Sequence, residues 1–121
     1  MFALVVGSSA VVLLGFSPLQ AWAHAHLLDT EPPANAVIAQ APKQLRLRFS
    51  EPIEKKFVRL QIKVAQQPLA LTPDSVQWDA NGKTMLVNLP DSPQGVYQVQ
   101  WSILARDGHP GKGQYNFTVK P

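Results

Sequence analysis

The sequence contains only three histidines, His24, His26 and His109, and they fall in two places. His24 and His26 stand two apart near the beginning. His109 lies in Arg106-Asp107-Gly108-His109-Pro110-Gly111, a polar stretch between two aromatic-rich runs. Asp107 and His109 are separated by one glycine, so both side chains can turn toward one point. Gly108 permits a backbone bend that a Cβ would resist. Pro110 restricts the loop and lowers the entropy lost in ordering the pair. The chain has no cysteine, which removes thiolate metal sites and disulfides alike. What remains is a nitrogen and oxygen donor set. A tetragonal site of that kind suits Cu(II) or Ni(II), and divalent affinity peaks at copper. Zinc prefers a tetrahedron and more numerous imidazoles.

The set is completed by a cut. Residues 2–23 carry no charged side chain, and Phe2 to Phe16 is mostly Ala, Val, Leu and Gly. Ser17-Pro18-Leu19-Gln20 and the small-x-small triplet Ala21-Trp22-Ala23 follow. This is the layout of a secretory signal peptide, although a basic residue near Met1 is missing. An uncleaved anchor would need about 20 apolar residues, and Pro18 interrupts the run early. Cleavage after Ala23 is therefore expected, which divides the chain into a leader, 1–23, and one domain, 24–121. His24 then offers two nitrogens from one residue, its α-amine and its imidazole. With the His109 imidazole and the Asp107 carboxylate they make three nitrogens and one oxygen. Both an α-amine and an imidazole bind protons in competition with a metal, so copper must displace protons and bind less tightly in acid.

Each residue also has a plainer reading. A histidine beside a cleavage site is commonly a solvated terminal residue, and Asp-Gly-His is commonly a turn in which Asp bonds its own backbone. His24-Ala25-His26 additionally satisfies a different chelate, built from the free amine, two deprotonated amides and the third-position imidazole. The residues by themselves leave these readings open.

The elements that must position them are strands. Gln44-Leu45-Arg46-Leu47-Arg48-Phe49 alternates strictly, as does Phe57 to Val64 with Val58, Leu60, Ile62 and Val64 inward. Thr84 to Leu89 follows Asn81-Gly82, a hairpin signal, with Val76-Gln77-Trp78 as its partner. Tyr97 to Ile103 and Tyr115 to Val119 form two aromatic-rich strands around the Asp107–His109 loop, and Leu28 and Thr30 suggest a short one near His24. Met85 and, of the three tryptophans, the two beyond the expected leader, Trp78 and Trp101, fit core or rim positions. No amphipathic helix is visible. The expected fold is all-β, a sandwich or small barrel of about seven strands. The charged residues all lie beyond residue 23, and Lys55-Lys56 is the only adjacent basic pair. No nucleic-acid-binding stripe appears.

The chain resembles the CopC family of periplasmic copper-binding proteins over essentially all of residues 24–121, most closely its short members. The resemblance rests on His24, Pro32-Pro33-Ala34-Asn35-Ala36, Leu47-Arg48-Phe49-Ser50-Glu51, Gly95-Val96-Tyr97-Gln98-Val99-Gln100-Trp101, Asp107-Gly108-His109 and Gly113-Gln114-Tyr115-Asn116-Phe117-Thr118-Val119. It implies a Greek-key β-sandwich or barrel with a Cu(II) site like the histidine brace. In that site His24 binds through amine and imidazole, His109 through imidazole and Asp107 as carboxylate. Glu51 falls where the family places a ligand or near neighbour of the metal; its plainer role is to cap a turn before Pro52. Longer members are similar to two-site binders with a methionine-rich loop for Cu(I), which a lone Met85 cannot supply. The implied function is non-enzymatic: a periplasmic monomer that sequesters copper or delivers it to a CopD-like transporter in the inner membrane. Two rivals are a brace-type copper oxidase and an Ig-like interaction module without metal.

Overall fold

A computed structural model of the chain describes residues 26–90 and 93–121. The expected leader, its cleavage point and His24 lie outside the described residues. β3 (Gln44–Phe49) has the burial that its alternation predicts, with Leu45, Leu47 and Phe49 fully enclosed and the residues between them exposed. β7 (Thr84–Asn88), β8 (Gly95–Leu104) and β9 (Pro110–Val119) alternate in the same way. A period of two on each strand yields one apolar face per sheet, and two such faces must close on each other. With β1 (Leu27–Glu31) and β6 (Val76–Trp78), a four-stranded sheet forms in the order β1-β3-β7-β6. The second sheet takes β2 (Val37–Ile38), β4 (Arg59–Val64) and β5 (Gln67–Pro68) in the order β2-β9-β8-β4-β5. The result is a β-sandwich, and among the described residues there is no α-helix.

The core is aromatic where the sheets meet. Tyr97 stacks on Phe117 with ring centroids 4.6 Å apart, and Trp101 meets Phe49 edge-on at 6.1 Å. Trp101 also faces Gly113 across β8 and β9, so close that a Cβ there would sit 2.7 Å from Cζ2. The glycine makes room for the indole. Met85 is fully buried, as core filler should be.

Three local features differ from the expectation. The run 57–64 begins as a strand only at Arg59, because Lys55–Phe57 closes a 3-10 turn with the Phe57 N–H on the Glu54 carbonyl, 3.1 Å. β2 and β5, two residues each, had no visible signal. β2 pairs in parallel with β9. β5 returns through Ala65 and Gln66, both at positive φ, a hairpin turn written without the usual Asn or Gly. The last strand starts at Pro110, five residues before Tyr115, where a proline is tolerated at a strand's first position.

Candidate metal centre

The loop carrying Asp107 and His109 is the turn of the β8–β9 hairpin, closed by the Leu104–Pro110 pair. The Ala105 N–H donates to the His109 carbonyl at 2.8 Å, and the Gly108 N–H donates to the Ala105 carbonyl at 2.9 Å. Gly108 takes φ +96°, with open space where a side chain would go. Backbone conformation, not crowding, requires glycine here. Within this turn Asp107 holds His109 twice. Oδ1 accepts the His109 backbone N–H at 3.1 Å, and Oδ2 lies 3.1 Å from His109 Nδ1. These hydrogen bonds, the backbone one foremost, lower the Asp107 pKa below the ordinary carboxylate value. The aspartate is therefore ionised at neutral pH, and its carboxylate and the imidazole are already side by side. Both side chains are about half exposed, so a dissolved ion can reach them.

Two further segments join this loop. The Arg106 N–H donates to the Pro52 carbonyl at 3.0 Å, and the Glu54 N–H donates to the Leu104 carbonyl at 2.7 Å, with Ile53 bridging Ala105. The turn containing Glu51 is thereby tied to the hairpin loop. From the other side, β1 pairs with β3 in a register that sets Leu27 opposite Phe49. The next residues continue the contact: the Ser50 N–H donates to the His26 carbonyl at 2.9 Å. His26, Ser50-Glu51-Pro52 and Arg106–His109 thus form an unbroken series at one end of the sandwich. The described chain begins at this end, with His26 against Ser50 just before β1.

Ser50 does more than pair. Its Oγ accepts the His26 N–H at 3.1 Å and lies 3.3 Å from His26 Nδ1. This role of Ser50 is not legible in the sequence, because nothing in the strand pattern says which residue β1 meets. The placement of Arg106 is hidden from the sequence for a similar reason. Its guanidinium lies against Gly82 of the β6–β7 hairpin, where a Cβ would stand 2.6 Å from Nη2. The Ile53 N–H donates to the Gly82 carbonyl at 2.9 Å, which joins that hairpin to the same end.

Of the four site residues read from the sequence, Asp107 and His109 are in direct contact. Glu51 is half-buried on the turn beside them, and His24 lies outside the described residues. Among the described residues no group of three His, Asp or Glu side chains converges tightly enough to hold a metal. The described part contributes one carboxylate–imidazole pair, a nitrogen and an oxygen donor side by side.

Comparison with known proteins gives consistent matches. Residues 27–120 match the CopC domain family. Protein YobA of Escherichia coli strain K12 is 38% identical over 100 residues, covering 82% of this chain and 81% of YobA. Copper resistance protein C of Xanthomonas campestris pv. juglandis is 30% identical over 129 residues, 99% of this chain and 100% of that protein. The crystal structure of PcoC, a methionine-rich copper resistance protein from Escherichia coli, superposes with a TM-score of 0.70 at 32% identity. It covers 80% of this chain and 99% of PcoC.

Proposed function

Because the chain belongs to the CopC family, we propose that it is a periplasmic Cu(II)-binding protein of copper resistance and homeostasis, with its site at the β8–β9 end of the sandwich. The observation that carries this reading is the Asp107–His109 pair, held 3.1 Å apart on a loop tied through Pro52 and Ser50 to the start of β1. His109 and Asp107 supply an imidazole nitrogen and a carboxylate oxygen. Removal of residues 1–23 frees the His24 amine, which together with the His24 imidazole completes a three-nitrogen, one-oxygen set of the kind Cu(II) favours. Glu51, on the adjoining turn, is the secondary candidate, a carboxylate that would add negative charge near the cation. Copper is cargo here. In this reading Asp107 would occupy a position that an oxidase keeps open for oxygen, and the domain stores the ion or passes it to a CopD-like transporter in the inner membrane, acting as a monomer.

Calorimetric titration and Cu(II) EPR of three proteins test this: residues 24–121, the same chain with His109→Ala, and the unprocessed chain. The 24–121 form should bind one Cu(II). His109→Ala should weaken binding at least tenfold and alter the nitrogen hyperfine pattern. The unprocessed chain, with an amide in place of the amine, should also bind far more weakly. Equal affinity and identical spectra in all three would defeat the reading.

A further inference from the structure

A chain that begins His24-Ala25-His26 has two ways to hold a planar ion, and they use different atoms. The brace uses the His24 amine and imidazole and then the Asp107–His109 loop. The terminal chelate uses the amine, the amide nitrogens of residues 25 and 26, and His26 Nδ1. Two of those four atoms, the His26 amide nitrogen and His26 Nδ1, face a single oxygen in this fold. Ser50 Oγ lies 3.1 Å from the first and 3.3 Å from the second. A hydroxyl that accepts the amide N–H can give its own proton to Nδ1, which matches its one-donor, two-acceptor capacity. The Ser50 backbone holds the same residue a third time, through the His26 carbonyl at 2.9 Å.

We propose that Ser50 determines which coordination mode the processed chain adopts. By occupying the His26 amide and Nδ1, it withholds them from the terminal chelate and leaves the His24 amine for the brace. The terminal chelate must strip a proton from the His26 amide and turn Nδ1 toward the ion, so both Ser50 contacts have to break first. Ser50 does not touch the metal in this account; it is a positioning residue. The inference rests on the brace reading for the mode that is favoured, but the exclusion of the other mode can be measured separately.

The separate measurement uses Ni(II), which the terminal chelate binds as a square-planar, low-spin complex with a distinctive visible absorption and circular dichroism. Residues 24–121 are prepared with the natural Ser50, with Ser50→Ala, with Ser50→Thr, and with Ser50→Ala combined with His26→Ala. Ser50→Ala should gain the planar Ni(II) spectrum and bind Ni(II) about thirtyfold more tightly, equivalent to the two hydrogen bonds removed. Ser50→Thr keeps the hydroxyl and should behave as the natural protein. The double variant should lose the new signal, which assigns it to His26. With Cu(II), Ser50→Ala should move the visible band to shorter wavelength and lose its dependence on His109. Thermal melts and far-ultraviolet dichroism confirm that each variant is folded. A planar Ni(II) spectrum of equal strength in the natural protein and Ser50→Ala would overturn the role of Ser50. If His109→Ala leaves Cu(II) binding of the natural protein unchanged, the brace reading falls instead, and the Ni(II) comparison still decides whether Ser50 restrains His26.

Discussion

Gly113→Ala is a small change with a large expected effect. The new methyl would stand 2.7 Å from Cζ2 of Trp101, 3.2 Å from Cε2 and 3.3 Å from Cη2, across the six-membered ring of the indole. Phe49 meets it at 6.1 Å on one side and Tyr115 at 6.1 Å on another, and all three rings belong to the buried core. Overpacking of this kind costs about 1–3 kcal/mol. In a domain of this size each kcal/mol lowers the melting temperature by roughly 4–8 °C, so a fall on the order of 10 °C is expected. Differential scanning calorimetry provides the number, and a double-mutant cycle provides the cause. Trp101→Phe shortens the ring, so Gly113→Ala in that background should cost at least about 1 kcal/mol less than in the natural protein. Copper affinity of processed Gly113→Ala should change little, because the Leu104–Pro110 pair that closes the loop is left intact. A melting temperature within 2 °C of the natural protein, or strict additivity with Trp101→Phe, would refute the packing on which this rests.

Two more expectations concern acid and light. Asp29, bonded by Arg48 with Nε at 2.9 Å, and Asp79, which accepts the Thr84 and Lys83 N–H groups, join Asp107 in having pKa values lowered from 3.8 in the folded state. The unfolded chain then binds more protons in acid, so their stabilising contribution is complete above that value and is lost as pH falls through the folded pKa values. Thermal midpoints should be flat from neutrality to about pH 5 and should fall below pH 4. Asp29→Asn should shrink that fall, and so should added salt for this exposed pair; an unchanged profile in both would show the pairing contributes nothing. Phe49, which precedes Ser50, has Trp101 at 6.1 Å and Trp78 at 6.5 Å. Cu(II) bound at that end should therefore quench tryptophan emission, saturating at one equivalent, while undiminished emission in copper-loaded protein would place the ion elsewhere.

Strand patterning made most of the sandwich legible in the sequence, because alternation is a local property. Leu45, Leu47 and Phe49, or Tyr97, Val99 and Trp101, announce an inward face without knowledge of any partner. The chemistry of the candidate site was local too: Asp107, Gly108 and His109 lie within one turn, and the two bonds between Asp107 and His109 need nothing outside it. Elements stabilised only by what they meet were not legible. β2 is a strand because β9 lies beside it, and β5 because Ala65 and Gln66 adopt a turn that their side chains do not advertise.

Residue types and spacing thus determined by themselves a β-rich domain without cysteine and a loop that sets a carboxylate beside an imidazole. Only the tertiary structure decided that this loop, the Glu51 turn and the beginning of β1 share one end of the molecule. That convergence depends on the pairing of β1 with β3 and on the Arg106–Pro52 bond, contacts between residues far apart in the chain. The same long-range pairing brought Ser50 onto His26. No local pattern encodes such a meeting, since it follows from how two sheets are closed on a common core.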